Sequence, residues 1–534
     1  MSPAAPSPSN QASPAVTIVP STLGSCAVRA GGLLGLEFSP ITVEVATRRG
    51  PGSFQMAGLA ETAVREARIR ISSALCLLGI HLDEYSLTVN LAPAHLRKSG
   101  SGLDFAIAVA ILGAVGKLQL SSLGRHLFVG EVGLDGSIRP VPGVLPILDG
   151  AAEQGFSHAY VPAQNAKEAS QLSDIEVRGV RDLPALLAHI EGDAPIFPSR
   201  PAPYHPQVDD SVDFSEVRGH HLPKRALLIA AAGFHHALLM GPPGSGKSLL
   251  ARRMPSLLPA MDLAQAMQTT KVHSVSGLVR PEQGVIERRP FRAPHHTVSA
   301  AGLIGGGSIP RPGEVSLAHH GVLFLDELGE FRRGALEALR QPLEDHFVDI
   351  VRTKMRARFF ARPLVVAAMN PCPCGNFGNP LVACRCSVAA RLRYLAKISG
   401  PLLDRLDLHV QVTPVNFRAL CGRPPSASDL SSKAARKLVQ RARAAQASRA
   451  KKGLTRRVVN SDLTLDELDR VVPLDRPARA LIDAALKQGV LSARGYVRVL
   501  RIARSIADLE GSPYPHVAHL GEALRYRTSD LSKL

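Results

Sequence analysis

The residues GPPGSGKS (Gly241, Pro242, Pro243, Gly244, Ser245, Gly246, Lys247 and Ser248) match the pattern G-x-x-x-x-G-K-[ST] at every position. They follow the apolar run HALLM and lead into Leu249, Leu250 and Ala251, the strand–loop–helix setting that the pattern requires. Glycines let such a loop curl until its N–H groups point inward around phosphate oxygens. Lys247 is then expected to reach the β- and γ-phosphates of ATP, and Ser248 to offer its hydroxyl to Mg²⁺. Further on, the apolar residues Val322, Leu323, Phe324 and Leu325 deliver Asp326 and Glu327 to a strand end. A buried pair of carboxylates needs compensation. Mg²⁺ supplies it if Asp326 holds the ion, directly or through water, while Glu327 orients the attacking water. LVVAAMN ends in Asn370, a polar residue expected beside the γ-phosphate. In GPLLDRLDL, Arg405 interrupts an apolar segment. It is expected to reach a neighbouring subunit's ATP and stabilise transition-state charge, the competing reading being an ion pair with Asp404 or Asp407.

A second cluster is made of sulfur. Cys372, Cys374, Cys384 and Cys386 form C-x-C, nine residues, C-x-C. Four thiolates this close can surround Zn²⁺ tetrahedrally, and the intervening GNFGNPLVA has glycines with which to fold back. A structural zinc knuckle is one reading, and four reduced thiols in a loop is the other. His295 and His296 in RAPHHTVSAAGLIGGG are adjacent, so on a helix or strand they point apart and make poor joint ligands. A hydrogen-bonding or DNA-facing loop is the better reading.

Basic residues gather in strips. In VRTKMRARFFA, Arg352, Lys354, Arg356 and Arg358 alternate with Val351, Thr353, Met355 and Ala357, so a single strand would carry all four charges on one face. A solvated strand face is the alternative to a ligand surface. From Lys433 to Arg457 there are ten basic residues and no acid, and a helix so charged repels itself unless something anionic lies against it. With no Trp and few aromatic residues in either strip, binding would follow backbone and junction shape rather than base sequence.

The elements that must position these residues fall into blocks. Residues 1–14 read as a disordered tail. Residues 15–191 mix alternating and helical stretches, the pattern of an α+β domain. Residues 192–212, GDAPIFPSRPAPYHPQVDD and its flanks, form a Pro-rich linker. Residues 213–413 alternate short β-like runs with helical segments, as a parallel α/β sheet does, and include the cysteine loop 372–386. A linker at 414–430 precedes a helical C-terminal domain over 431–534.

The chain has 534 residues, 45% hydrophobic and 20% charged, with a formal net charge of +18. These values suit a globular protein of about three domains and favour a polyanionic partner. The longest apolar run is too short to span a bilayer at ~20 residues, and the first residues lack the basic start and apolar core of a secretory signal. The expectation is a cytoplasmic protein with no membrane partner.

Several stretches together resemble the ComM/YifB family of magnesium-chelatase-like AAA+ ATPases. They are VNLAPAHLRKSGSGLDFAIA, RAPHHTVSAAGLIGGG, PGEVSLAHHGVLFLDELGEF, AAMNPCPCG, SGPLLDRLDL and LSARGYVRVLRIARSIADLEG. The resemblance implies that Asn370 is the first sensor residue, Arg405 the arginine finger and Arg494 of LSARGY the second sensor arginine. It implies hexameric rings that drive branch migration of DNA junctions, notably in natural transformation, using ATP and Mg²⁺. His220 stands where the family usually has Gln, and Ser248 where it has Thr. The basic stretch before Asn370 resembles the pre-sensor hairpin with which related ring helicases grip DNA. The front domain resembles the proteolytic domain of Lon protease, yet the nucleophile slot falls on Gly102 and the lysine slot on Ile147. Without a base a serine such as Ser101 is a poor nucleophile, so the domain reads as non-proteolytic. The alternatives are a chelatase motor subunit acting on a protein partner, an ATP-dependent protease, and a non-catalytic DNA-binding scaffold.

Overall fold

The computed structural model describes residues 24–58, 62–94, 98, 100–119, 125–201, 203–281, 284–352, 355–379, 382–414, 430–489 and 491–527. The tail at 1–14, most of the 414–430 linker, Lys354 and Cys421 lie outside them.

In the front part, alternating residues build a mixed sheet. Strands β1 (Gly24–Leu34), β2 (Glu37–Arg49) and β4 (Tyr85–Ala92) pair antiparallel, and β3 (Ser53–Ala57) runs parallel to β4. β5 (His126–Phe128), β6 (His158–Pro162) and β7 (Glu176–Val180) extend the other edge in parallel, giving the order β3-β4-β2-β1-β5-β6-β7. Helix α1 (Thr62–Cys76) and helix α2 (Asp104–Ala114) lie against it, with α2 apolar nearly all round and buried over nearly its whole length, as a core helix must be. Helices α3 (Val144–Glu153) and α4 (Leu183–Glu191) complete this part.

The central part obeys the rule for sheets covered on both faces, whose strands are continuous apolar runs. After α5 (His221–Gly233) comes β8 (Ala237–Met240), followed by α6 (Lys247–Arg252), α7 (Leu263–Val275), β9 (Phe291–Arg292) and β10 (Val322–Leu325). Then follow a hairpin of β11 (Phe347–Arg352) and β12 (Met355–Phe360), β13 (Leu364–Met369), α8 (Val388–Leu395), α9 (Gly400–Arg405) and β14 (Leu408–Gln411). Five strands pair in parallel in the order β9-β10-β13-β8-β14. Every residue of β8, β10 and β13 is buried. The expected parallel α/β sheet is therefore present, beside a helical C-terminal part of α10 (Ser432–Lys451), α11 (Leu465–Val471), α12 (Arg476–Lys487), α13 (Ala493–Glu510) and α14 (Val517–Arg525). One apolar core runs through both, joining Ala230, Leu239 and Val366 to Val439, Val499 and Leu500. Among the described residues, no helix is long and apolar enough to cross a membrane.

Two expectations about charge are corrected. The stretch around Arg352 is a hairpin rather than one strand, with Asp349 opposite Arg358 and Arg352 opposite Met355. Residues two apart share a face, so Arg356 and Arg358 lie on the Asp349 side while Arg352 falls on the other. Part of the strip from Lys433 to Arg457 meets anions inside the chain. Arg436 pairs with Asp210 at 2.6 Å, Arg449 with Asp508 at 2.6 Å and Arg457 with Glu467 at 3.6 Å. Arg443 donates to the Ala231 carbonyl at 2.9 Å. Lys433, Lys437, Arg441, Lys451, Lys452 and Arg456 stay exposed.

Asp508 anchors the C-terminal helices. It pairs with Arg449 and with Arg504 at 2.8 Å, and accepts from Asn460 Nδ2 at 2.9 Å. The side chains of Arg504 and Asp508 are each 1% exposed. Removing one partner of a buried pair strands the other charge, at a cost of about 3–5 kcal/mol. Asp508→Ala should therefore destabilise this part by about that amount in urea unfolding. A midpoint equal to the parent's would show that the network contributes nothing.

Candidate functional site

The parallel register creates the site. Met240 stands opposite Met369 and Leu325 opposite Ala367, so β8 and β13 end level and β10 two residues earlier, all toward the same side of the sheet. Their continuations, Gly241, Asp326 and Asn370, emerge at one edge, the carboxyl edge where open α/β sheets bind ligands.

The loop after β8 is shaped by backbone that side chains would obstruct. A Cβ on Gly241 would lie 2.1 Å from the Val412 carbonyl oxygen, and Gly244 and Gly246 have φ of +74° and +86°, a left-handed region that glycine enters without strain. Lys247 is 8% exposed. Its Nζ donates to the carbonyls of Gly241 at 2.7 Å and Pro242 at 2.8 Å, and to Asn370 Oδ1 at 3.2 Å. Burial lowers its pKa, against the opposing pull of Asp326 and Glu327. Ser248 Oγ donates to Asp326 Oδ2 at 2.7 Å. Ser245 Oγ is buried without a hydrogen-bond partner among the described residues. A glycine-shaped loop, an ammonium and a hydroxyl beside a carboxylate fit a polyphosphate with its Mg²⁺. Ser248 and Asp326 are the residues that would hold the metal.

Glu327 departs from the expected buried pair. Asp326 is half-buried, whereas the Glu327 side chain is 55% exposed, because the backbone turns at Glu327 (φ 52°) as it leaves the strand. Its carboxylate Oε2 lies 3.1 Å from His296 Nδ1. His295 and His296 do not point apart, since in this loop their ring centroids are 4.1 Å apart. His220 lies against the phosphate loop, its Nε2 3.2 Å from where a Cβ on Gly246 would stand.

Arg405 ends α9, donates to the Pro401 carbonyl at 2.9 Å and pairs with Glu344, not with Asp404 or Asp407. Those two acids face Arg498 and Arg527 instead. Arg494 is exposed in the first turn of α13. The fold thus gathers Lys247, Ser248, Asp326, Glu327 and Asn370, whereas the partners of Arg405 are Pro401 and Glu344.

The cysteine loop follows Asn370 directly. Cys372 Sγ lies 3.4 Å from Cys374 Sγ and 3.7 Å from Cys384 Sγ, and the four sulfurs of Cys372, Cys374, Cys384 and Cys386 all lie within 4.8 Å of one another. A tetrahedral zinc with ~2.3 Å bonds sets its sulfurs about 3.8 Å apart. Backbone N–H groups of Phe377 and Cys386 donate to Cys372 and Cys384 Sγ, both at 3.4 Å, as they would to thiolates. The four cysteines therefore fit a metal such as zinc. The loop also touches the phosphate site, because a Cβ on Gly375 would meet Pro243 at 2.5 Å. Beside it, Tyr394 packs on Gly329 and burial pushes its hydroxyl up to about 12. Neither contact is visible in the sequence, since both join loops far apart along the chain.

Of the basic hairpin, Arg358 chelates Asp349 at 2.7 and 2.8 Å and Arg356 approaches it at 3.3 Å. Those hydrogen bonds hold the Asp349 carboxyl down to about 2. Arg352, Arg356 and Arg358 remain exposed.

Known proteins match along nearly the whole length. Residues 213–420 fit the family described as magnesium chelatase, subunit ChlI, residues 43–165 the family of subunit ChlI of Mg-chelatase, and residues 429–527 the subunit ChlI C-terminal family. The competence protein ComM of Haemophilus influenzae is 39% identical over 92% of this chain and 96% of its own. The YifB protein of Escherichia coli is 38% identical over 93% and 96%. The chain belongs to the ComM/YifB family of magnesium-chelatase-like proteins. An uncharacterised Mycobacterium tuberculosis protein, 40% identical over 92% of this chain and 96% of its own, is similar to it over the same span. The gathered phosphate-site residues of this ComM/YifB member lie within the ChlI match, as does the cysteine cluster.

Purified protein should carry about one zinc per chain, measured by elemental analysis, and Cys374→Ser should lose most of it. Well under one equivalent, with no loss on substitution, would leave four reduced thiols as the reading.

Proposed function

We propose that the protein is an ATP-hydrolysing motor that works as a hexameric ring in the cytoplasm and moves branch points of DNA during recombination or natural transformation. The observation that carries the ATPase reading is the convergence of Lys247, Ser248, Asp326, Glu327 and Asn370 at one sheet edge. The family match supports it. In this reading Lys247 exchanges its carbonyl and Asn370 partners for β- and γ-phosphate oxygens. Mg²⁺ held by Ser248 and Asp326 neutralises developing charge. Glu327 takes the proton of the attacking water, and Asn370 orients that water. Arg405 leaves Glu344 to reach the next subunit's ATP, and Arg494 approaches the phosphates of its own.

The cargo reading rests on charge and on kinship. The formal net charge is +18, and Arg352, Arg356 and Arg358 are exposed on one hairpin. Likeness to a competence protein favours DNA. Contacts of this kind favour the phosphate backbone over base sequence. We further propose three functional units, a Lon-like front domain, the AAA+ core and a C-terminal helical lid, with a structural zinc in loop 372–386. The front unit is proposed to be non-proteolytic. Ser101 is hydrogen-bonded to Glu131, and Lys98 is tied to the Pro93 carbonyl, so neither supplies the serine–lysine pair. The matches to chelatase subunit families favour a second reading, a motor acting on a protein partner.

Glu327→Gln should bind ATP and DNA like the parent while turnover falls at least about a hundredfold. Hydrolysis at the parental rate would remove Glu327 from its role. ATP-dependent migration of a synthetic three- or four-way junction, absent in Lys247→Ala, tests the cargo. Hydrolysis with no affinity for branched or single-stranded DNA at low salt would favour the protein-directed reading.

A further inference from the structure

Two short parallel strands bring a histidine to the water-activating carboxylate. Phe291 stands opposite Val322 and Arg292 opposite Leu323. His296 lies four residues beyond Arg292 and Glu327 four beyond Leu323, so the chain leaving β9 reaches His296 where the chain leaving β10 reaches Glu327. The result is the 3.1 Å contact from His296 Nδ1 to Glu327 Oε2.

The imidazole is itself held. His295 lies against one side at 4.1 Å between centroids, and the buried Phe331 ring meets it edge-on at 6.5 Å. The base of the loop is pinned by Arg292, which grips Glu314 with two hydrogen bonds of 2.6 and 2.7 Å. A carboxylate more than half exposed, as Glu327 is, would otherwise sample several rotamers, and a catalytic base acts only from a narrow range of positions.

Building on the ATPase reading above, we infer that His296 is the positioning residue for Glu327. Its Nδ1–H donates to one carboxylate oxygen and leaves the other aimed for the proton of the attacking water. Among the described residues the ring meets Glu327, His295 and Phe331 rather than the phosphate loop, Ser248 or Asp326, so it governs the rate of the hydrolytic step and not nucleotide affinity. The same loop runs on to Gly306, whose Cβ would stand 3.6 Å from Arg352 Nη2. The orienting loop therefore spans the distance between the base and the basic hairpin.

Steady-state ATPase kinetics on the full chain test this. His296→Ala should lower kcat about 10- to 100-fold with KM for ATP within about twofold of the parent. His296→Asn, which restores an N–H donor near Nδ1, should recover most of the lost rate. In the Glu327→Gln background, His296→Ala should cause no further loss, because the group it orients is gone. A parental kcat in His296→Ala overturns the inference, as does an Asn variant no better than Ala, or a rise in KM that matches the fall in kcat. If Glu327→Gln itself turns over normally, the ATPase assignment fails instead.

Discussion

An ammonium group removed from water must be surrounded by oxygen, and at Lys247 every oxygen within reach comes from a strand end. The carbonyls of Gly241 and Pro242 follow β8, and the amide oxygen of Asn370 follows β13. That coordination depends on the parallel register, which ends β8 and β13 at one level. It also depends on Gly241, where any side chain would strike the Val412 carbonyl. Burial lowers the lysine's pKa, so a group carrying more negative oxygen than an amide would be held more strongly there. The geometry of the sheet and the electrostatic demand for phosphate are one constraint.

Charge elsewhere follows a different logic. An excess of basic residues suggests an anionic partner, but many of these cations meet an acid distant in sequence. Asp210, Asp508 and Glu467 answer Arg436, Arg449 and Arg457, and Asp349 answers Arg358 within the hairpin. A largely buried guanidinium held by a carboxylate, as those of Arg436 and Arg449 are, fixes how two elements sit and is not free to attract a polyanion. The cations open to one are those left exposed on α10 and on the hairpin. A strip counted from sequence therefore overstates the binding surface.

This separates what the sequence reveals from what it conceals. β8, β10 and β13 were legible because a strand covered on both faces has to be apolar throughout, and their ends announce Gly241, Asp326 and Asn370. The phosphate loop was legible because its glycines answer a local backbone requirement. Alternation of Arg352, Lys354, Arg356 and Arg358 is blind to a chain reversal, which moves Arg352 to the opposite face, whereas the resemblance to a pre-sensor hairpin agrees with the reversal. The exposure of Glu327 was hidden for a related reason, since its left-handed turn is not encoded by a glycine. The pairing of His296 with Glu327 needed the register of two short strands, a nonlocal fact that residue type does not carry.

The cysteine loop belongs to the same nonlocal class, and its position bears on how the site is kept in shape. Asn370 is followed within two residues by Cys372, and Gly375 of the loop rests on Pro243 of the phosphate loop. A cross-linked knot of four sulfurs would fix the chain just beyond Asn370 and press on the loop that cradles Lys247. Tyr394, at the end of the helix that follows the cysteines, packs on Gly329 just after Glu327. The loop so braces two of the three strand ends and its following helix touches the third, so the cysteine loop and the phosphate site form one mechanical unit.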